Sequence, residues 1–208
     1  MAPGNVSDKD HWNQRYTQRP WPTDPSPWLV EHAGLLATPG RALDIAGGTG
    51  RNAIWLATLD WDVTITDVSN VAIALAQERA RSCNVTVSVV ETDLSETALP
   101  HGHWDAIMLF HYLDRTLFPA FVSSLRPGGI LIGSLATTRN LERNDRPPLP
   151  YLLEEGELPG LVDELELIAY DESWESGHHD ARFVARKPAT FTGPVRRDPP
   201  SSLQATAL

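Results

Sequence analysis

Short apolar runs alternate with segments of helical periodicity through the middle of the chain. Seven runs predict strands, namely Ala42–Ala46, Asp62–Thr66, Val85–Glu91, Trp104–Phe110, Ile130–Ala136, Glu164–Tyr170 and Arg182–Ala185. Apolar residues at helical spacing predict helices between them, over Arg51–Leu59, Asn70–Arg81, about Leu113–Leu125 and Glu154–Leu161. This alternation predicts an α/β fold with a mostly parallel seven-stranded sheet and helices on both faces. Only the loop around Glu175–Asp180 separates the last two strands, which should form an antiparallel hairpin.

The segments before the first strand predict a separate helical part. Ser7 is suited to cap a helix over Asp8–Thr17, and a proline-rich link leads to a second helix, Trp28–Leu36, which Pro27 starts. We expect residues 1–40 to form a helical lid over a domain spanning residues 41–188. Met1–Val6 and the tail, residues 189–208, are predicted to be disordered because they hold few large apolar residues.

Two loops are predicted around the fifth strand. Arg126-Pro127-Gly128-Gly129 indicates a turn before that strand, because it combines proline with two glycines. The polar, proline-rich stretch from Arg139 to Pro150 after it indicates a long loop.

Composition limits the possible partners and compartments. The 208 residues are enough for one domain with a full core, and the net charge of −10 disfavours nucleic acid as a partner. Cys83 is the one cysteine, so no internal disulfide can form and a reducing compartment is favoured. No apolar run reaches the roughly 18 residues of a membrane span, and the first residues lack a secretory pattern. We therefore expect a cytoplasmic protein without membrane contacts.

A glycine turn after the first strand is the most specific chemical signal. Gly47-Gly48-Thr49-Gly50 ends a strand and opens a helix, so backbone N–H groups can approach a ligand. Asp44, just before the turn, would repel a phosphate but could accept a hydrogen bond from an ammonium or hydroxyl group. The run Gly48-x-Gly50-x-x-Ala53 also fits the dinucleotide fingerprint, which leaves a nicotinamide-dependent oxidoreductase open.

Further carboxylates stand at the ends of the next two strands. Asp67 lies 19 residues after Gly48, close to the spacing of about 20 at which an acidic residue meets a ribose hydroxyl. Asp93 ends the third strand, where it could meet an adenine amino group. Asp67 could instead cap a helix, although Ser69 is the better cap, and Asp93 could simply form a turn.

Five segments, in this order, resemble the motifs of class I S-adenosylmethionine (SAM) dependent methyltransferases: LDIAGGTGRNAIWLA, TITDVS, ETDLSE, WDAIMLFHYLDR and LRPGGILI. The opening WNQRY and the form GRNAIWLA resemble the small bacterial branch that includes tellurite-resistance and thiopurine-type enzymes. Ala46 departs from the pattern, because many members have glycine there. The resemblance covers Trp12 to about Pro188 and implies a Rossmann-like sheet and SAM as cofactor.

The resemblance also implies which residues contact the cofactor. Gly48 and Gly50 would approach the methionine part of SAM, which Asp44 would face. Asp67 would accept the ribose hydroxyls, and Asp93 would accept from the adenine amino group. The full implied set is Asp44, Ala46, Gly47, Gly48, Gly50, Arg51, Asn52, Asp67, Val68, Asp93, Leu94, Phe110 and His111, joined by Trp12, Arg15 and Tyr16 if the first helix closes over the site.

The acceptor side is less defined by the sequence. His111 follows the fourth strand and is a candidate general base, or merely a cap for the next helix. Tyr112, Arg143 and Arg146 are candidate substrate contacts, although a solvated loop would explain the arginines equally well. The remaining pairs, His101 with His103 and His178 with His179, are predicted to be surface residues, and no set of residues has metal-ligand spacing.

These features together predict a SAM-dependent methyltransferase that acts on a small molecule through a sulfur, selenium, tellurium or oxygen nucleophile. Two alternatives stay open, a nicotinamide-dependent oxidoreductase and a SAM-binding protein without catalysis. A monomer or a homodimer is expected.

Overall fold

One seven-stranded sheet forms the centre of the protein. The computed structural model describes residues 7–189. The strands are β1 Arg41–Ile45, β2 Asp62–Asp67, β3 Ser88–Glu91, β4 Trp104–Phe110, β5 Leu125–Ala136, β6 Glu166–Glu175 and β7 His178–Arg186. Their spatial order is β3-β2-β1-β4-β5-β7-β6, with β7 antiparallel to both of its neighbours and the other pairs parallel. The predicted fold class is thus confirmed.

Helices cover both faces of this sheet. The α-helices are α1 Asp8–Gln18, α2 Pro27–Glu31, α3 Arg51–Ala57, α4 Asn70–Ser82, α5 Phe118–Ser124 and α6 Leu158–Leu161. Apolar side chains form a core on each face, one including Leu43 with Phe118 and the other including Ala42 with Leu56. Consecutive residues of β1 thus enter opposite cores, as expected of a strand buried on both faces. Within residues 7–189, no helix has both the length and the apolarity needed to span a membrane.

The segment between β4 and β5 differs from the predicted single helix. Asp114 accepts a hydrogen bond from the Thr116 backbone N–H at 2.9 Å and caps a 3-10 turn, Arg115–Leu117. The α-helix begins only at Phe118, because Pro119 fits the first turn of a helix but not its interior. The prediction of a continuous helix from Leu113 was therefore wrong.

The predicted turn Arg126–Gly129 is instead an irregular start of β5. The pairing with β4 shifts between Trp104↔Leu125 and Ala106↔Ile130, which leaves the intervening residues as a bulge. Gly128 has a φ of 81°, and its N–H donates to the Lys187 carbonyl at 2.8 Å. The Pro-Gly-Gly sequence thus bends a strand that continues through it.

Other boundaries differ because local hydrogen bonds extend or shorten the elements. The second helix ends at Glu31 and is followed by a separate 3-10 turn, Ala33–Leu36. The predicted helix Glu154–Leu161 begins only at Leu158. Strand β3 begins at Ser88 because the chain after α4 still wraps on that helix, where the Val85 N–H donates to the Ala80 carbonyl at 3.0 Å.

The C-terminal hairpin is confirmed, with a tighter turn than the sequence indicated. Ser176 and Gly177 have φ values of 50° and 87°, which is typical of a two-residue hairpin turn. The long loop after β5 contains two 3-10 turns, Thr138–Glu142 and Leu149–Tyr151. The predictions for Met1–Val6 and for the tail beyond Ala189 lie outside the described residues.

Candidate active site

The turn after β1 has left-handed backbone at three positions. The φ values are 49° at Ala46, 57° at Gly48 and 75° at Gly50, where α3 begins. Gly47 donates its N–H to the carbonyl of Thr66 on β2 at 2.9 Å, which fixes the turn to the sheet. Ala46 adopts a conformation that costs an L-residue about 1–2 kcal/mol, and glycine at this position would avoid that strain.

Asp44 lies beneath this turn with one carboxyl oxygen unpaired. The residue is 2% exposed, and its Oδ2 has no hydrogen-bond partner among the described residues. Burial raises the pKa of Asp44 to about 7, against the opposing effects of Arg51 and the Ala53 N–H. Leaving a buried acceptor unpaired costs about 1–3 kcal/mol. This oxygen is therefore suited to accept a hydrogen bond from a ligand.

Asp67 connects the end of β2 to the same turn. Its Oδ2 accepts the Gly48 N–H at 2.9 Å, and its Oδ1 accepts the Ser69 N–H at 2.8 Å. Burial raises the pKa of Asp67, although both N–H bonds oppose the change. Ser69 caps α4 by accepting the Ala72 N–H at 3.1 Å. The cap is therefore Ser69, and Asp67 remains at the edge of the cleft.

The third carboxylate, Asp93, follows β3 and forms a local turn. Its Oδ1 accepts the N–H of Ser95 at 2.9 Å and the hydroxyl of the same residue at 2.6 Å. Next to it, Leu94 is buried, while Val68 on the neighbouring loop is half-buried. Burial, Asp114 and Asp93 raise the pKa of Tyr112 to about 12. Asp114 and Asp93 thus both act on Tyr112, the residue that was predicted to contact the substrate.

Helix α1 docks on this edge through one polar side chain. The Oδ1 of Asn13 accepts the Ser69 hydroxyl at 2.6 Å and the Val71 N–H at 3.4 Å, and its Nδ2 donates to Asn70 at 2.9 Å. Tyr16, one turn further along α1, projects over Gly48. Burial raises the pKa of Tyr16, and Asp67 adds to the increase. The first helix thus lies across the glycine turn.

Aromatic rings and arginines surround Tyr16. The Trp21 ring lies 4.6 Å and the Trp12 ring 5.9 Å from the Tyr16 ring, measured between centroids. The Arg15 guanidinium lies 5.0 Å from the centroid of Trp12, and its pKa is lowered first by burial and then by Arg19 and Arg146. Arg146, on the loop after β5, is thus one of the charges that act on Arg15 of α1.

Arg143 and Asn52, which were predicted to contact substrate and cofactor, each contact another part of the protein. The Arg143 guanidinium stacks 3.9 Å from the Trp174 ring centroid on β6. The Asn52 Oδ1 is buried and accepts the Ser26 N–H at 2.8 Å, so it fastens the proline-rich link to α3. Arg79, which the sequence gave no reason to select, donates to the Thr49 carbonyl at 2.8 Å and to the Thr23 carbonyl at 3.0 Å. Asn52 and Arg79 thus hold the proline-rich link against α3 and the glycine turn.

His111 leaves β4 with left-handed backbone, at a φ of 61°. It follows the buried Phe110, and its N–H donates to the Ser134 carbonyl of β5 at 2.8 Å. His111 is exposed to solvent, although protein atoms surround part of its side chain. That surrounding protein lowers the pKa of His111, Asp180 opposes the change, and Arg51 adds to it. The general-base role of His111 stays a prediction.

The other histidines are not equally exposed. His101, His103 and His178 are at the surface as predicted, but His179 is 2% exposed and bonds Thr137 Oγ1 through Nδ1 at 2.7 Å. The surface prediction for His179 was wrong, because β7 begins one residue before it. Residues 7–189 hold no cluster of three or more His, Cys, Asp or Glu side chains suited to a metal ion.

Known proteins that are similar to this chain include several methyltransferases. Residues 42–129 match a family described as "Methyltransferase domain". The "Probable S-adenosyl-L-methionine-dependent methyltransferase TehB" of Haemophilus influenzae is 26% identical over 155 residues, which cover 72% of this chain and 54% of that protein. The "Putative methyltransferase YqeM" of Bacillus subtilis is 29% identical over 114 residues, which cover 50% and 46%. The chain thus spans about half the length of these curated relatives.

Solved structures show the same fold. The crystal structure of TehB from Haemophilus influenzae is similar to this chain, with a TM-score of 0.67 and 21% identity. The matched region covers 86% of this chain and 66% of the TehB chain. The N-methyltransferase NodS from Bradyrhizobium japonicum, solved with S-adenosyl-L-homocysteine, gives 0.65 at 22% identity and covers 86% and 100%.

The central segment of the chain, residues 42–129, is thus similar to methyltransferase domains, and its fold is that of solved methyltransferase structures. The predicted resemblance to SAM-dependent methyltransferases is confirmed, with TehB among the similar proteins.

Proposed function

We propose that the protein transfers the methyl group of SAM to a small molecule. The observation that carries this proposal is the unpaired Oδ2 of Asp44, buried beside a turn of left-handed glycines. A carboxylate in this position suits the ammonium group of the methionine part of SAM, whereas it would repel the pyrophosphate of a dinucleotide. The nicotinamide alternative is therefore disfavoured.

The remaining residues fit the other parts of the cofactor. Each oxygen of Asp67 already accepts one N–H, which leaves one lone pair on each for a ribose hydroxyl. Val68 and Leu94 offer apolar surface to the adenine, and Asp93 would accept from its amino group. When bound, SAM supplies an electrophilic methyl group on a sulfonium centre.

The protein's contribution is then to position the two reactants and exclude water. Most of the barrier to an in-line displacement is lowered by such positioning. Trp12, Tyr16 and Trp21 would cover the cofactor when α1 closes over the turn. This role supports the proposed organisation, with a helical lid in residues 1–40 and a methyltransferase domain in residues 41–188.

We propose a small molecule as the acceptor and the cytoplasm as the compartment. The net charge of −10 disfavours a nucleic acid, which requires a basic surface. Arg146 and Tyr112 would contact the acceptor, whereas the Arg143 guanidinium lies over the Trp174 ring. We expect the protein to act as a monomer or homodimer.

Thermal unfolding in the presence of SAM, S-adenosylhomocysteine, NADH or NADPH tests the cofactor. A ligand at 100 times its dissociation constant adds about 2.7 kcal/mol to the free energy of unfolding. In a domain of this size, each kcal/mol raises the Tm by about 2–4 °C. We expect an increase with the first two ligands, and an increase with a nicotinamide alone would overturn the proposal.

Two variants and a product assay complete this test. Asp44→Asn should abolish the response to S-adenosylhomocysteine, whereas Asp163→Asn, an exposed residue on the loop before β6, should retain it. Formation of S-adenosylhomocysteine is then measured with a panel of thiols, phenols and metalloid oxyanions. Binding of SAM with no product from any acceptor would favour the non-catalytic alternative.

A further inference from the structure

We propose that Asp180 and His111 act together to remove a proton from the methyl acceptor, and that the acceptor is a hydroxyl compound. This inference rests on the proposed methyl transfer, since it names the acceptor class for the same cleft.

The sheet register brings the two residues to one edge. Phe110 of β4 pairs with Ser134 of β5, and Ala136 of β5 pairs with Asp180 of β7. Because β7 runs antiparallel to β5, its first residues lie beside the carboxyl ends of the parallel strands. Asp180 is therefore a fourth carboxylate at the edge that holds Asp44, Asp67 and Asp93, on the far side of β4.

Ser134 connects His111 to Asp180. Its carbonyl accepts the His111 N–H at 2.8 Å, and its hydroxyl donates to Asp180 Oδ2 at 3.2 Å. One residue of β5 thus positions both the backbone of the histidine and the carboxylate. His111 itself has left-handed backbone and is exposed to solvent.

The carboxylate of Asp180 is not neutralised by a cation of its own strand. Asp180 is 9% exposed, and the donor to its Oδ2 is a neutral hydroxyl. Arg182, two residues along β7, directs its guanidinium to Asp171 at 2.5 Å and Glu175 at 2.5 Å. The guanidinium of Arg182 is therefore paired with carboxylates other than Asp180.

Three charged or titratable groups act on His111 from the elements packed around it. Burial among these elements lowers the pKa of His111, and Arg51 on α3 and His178 on β7 add to the decrease, whereas Asp180 opposes it. Without Asp180, the imidazole would lose the one interaction of this set that favours its protonated form. A base that must accept a proton during the reaction needs such an interaction.

The step balances with this pair. The acceptor oxygen forms a bond to the methyl carbon as the carbon–sulfur bond of the cofactor breaks, and the electron pair of that bond returns to sulfur. The acceptor proton passes to the free ring nitrogen of His111, and Asp180 stabilises the resulting imidazolium. A thiol ionises readily near neutral pH and needs no such base, whereas a hydroxyl does. The pair is therefore useful for a hydroxyl acceptor.

The first experiment follows the pKa of His111 by NMR in the full chain, with the signal assigned from a His111→Gln variant. We expect Asp180→Asn to lower this pKa and Asp114→Asn, which removes a carboxylate that caps the turn after β4, to leave it unchanged. Ser134→Ala keeps the Asp180 charge and should give a pKa no lower than in the unmodified protein. An unchanged pKa in Asp180→Asn, or a decrease in Ser134→Ala, would contradict the pairing.

The second experiment compares phenol with thiophenol as methyl acceptors. We expect Asp180→Asn to lower kcat for phenol about tenfold or more and to change the rate with thiophenol less than about twofold, while affinity for S-adenosylhomocysteine stays the same. Equal losses with both acceptors, or methylation of thiophenol alone by the unmodified protein, would overturn the hydroxyl assignment. Absence of S-adenosylhomocysteine binding would instead refute the proposed function, and the NMR titration would still decide the pairing.

Discussion

The hydroxyl oxygen of Tyr16 lies 2.5 Å from the position that a β-carbon on Gly48 would occupy. The lid helix and the glycine turn are therefore fitted to each other at a point where any side chain would collide. Gly48 also has a left-handed φ of 57°, and its N–H is bonded to Asp67. Gly48 thus lies beneath α1, forms part of the turn and bonds the carboxylate of Asp67.

Gly48→Ala is expected to weaken binding of S-adenosylhomocysteine at least tenfold, because the new methyl group must displace Tyr16. The left-handed backbone adds about 1–2 kcal/mol of strain to the folded state. Adding Tyr16→Phe removes the colliding oxygen and leaves the strain, so the double variant should recover part of the affinity but little of the stability. Calorimetric titration and thermal unfolding measure the two effects.

Gly160→Ala is the matched control for this pair, because an added β-carbon there meets nothing within 4 Å and its φ is not left-handed. It should leave affinity and Tm nearly unchanged. Equal affinity in Gly48→Ala and Gly160→Ala would show that Tyr16 does not rest on the turn.

Asp44 predicts a pH dependence of both stability and binding. Its pKa of about 7 lies above the ordinary value of about 4, so the folded protein binds more protons than the unfolded chain between these values. The contribution of Asp44 to stability is therefore present at low pH and is lost as the pH rises through about 7. Without ligand, Asp44→Asn should show a smaller loss of Tm over this range.

Binding should follow the opposite trend, because the ammonium group of S-adenosylhomocysteine requires the ionised carboxylate. We expect affinity to increase up to about tenfold per pH unit below pH 7 and to level off above it. Calorimetric titration from about pH 5 to about pH 8 measures this slope. An affinity independent of pH would exclude Asp44 as the partner of the ammonium group.

Arg79 predicts a stabilising role for a residue outside the cleft. Arg79→Met removes donors from the carbonyls of Thr49 and Thr23, and each hydrogen bond from a charged group contributes about 1.5–3 kcal/mol. We expect a lower Tm and weaker binding of S-adenosylhomocysteine, since the glycine turn loses its tie to the link. Arg81→Met, an exposed residue in the last turn of the same helix, should change neither quantity.

The strands and their acidic ends were predictable because each depends on neighbouring residues. Apolar runs ending in Asp44 and Asp67 are visible in the sequence, and the parallel order of the strands then brings these carboxylates together. The glycine turn was equally predictable, because its left-handed residues, Ala46, Gly48 and Gly50, lie close together along the chain. These parts of the site require no knowledge of distant pairing.

The supporting residues could not be predicted, because their partners are distant in sequence. Asn13 meets Ser69 across 56 positions, and Ser134 meets Asp180 across 46. Periodicity indicates which face of a strand is buried. It does not indicate which polar side chain of another element will form a hydrogen bond with a residue on that face. His179 was misjudged for this reason, since its partner Thr137 lies 42 positions earlier.

The docking of α1 predicts that Asn13 controls access to the cleft. No residue of α1 is fully buried, so its polar bonds to Ser69, Asn70 and Val71 are a large share of what holds it. Asn13→Ala should therefore increase the rate at which trypsin cuts after Arg15, because proteolysis follows the population of the open form. The rate is measured by mass spectrometry of the released fragments.

Gln14→Ala is the control, because Gln14 is exposed on the same helix and should leave cleavage unchanged. S-adenosylhomocysteine should protect Arg15 in the unmodified protein and in Gln14→Ala, and protect it less in Asn13→Ala. If α1 instead served only as a surface extension, ligand would not protect this site in any variant. Protection that disappears on loss of Asn13 alone would show that the first helix closes over bound cofactor.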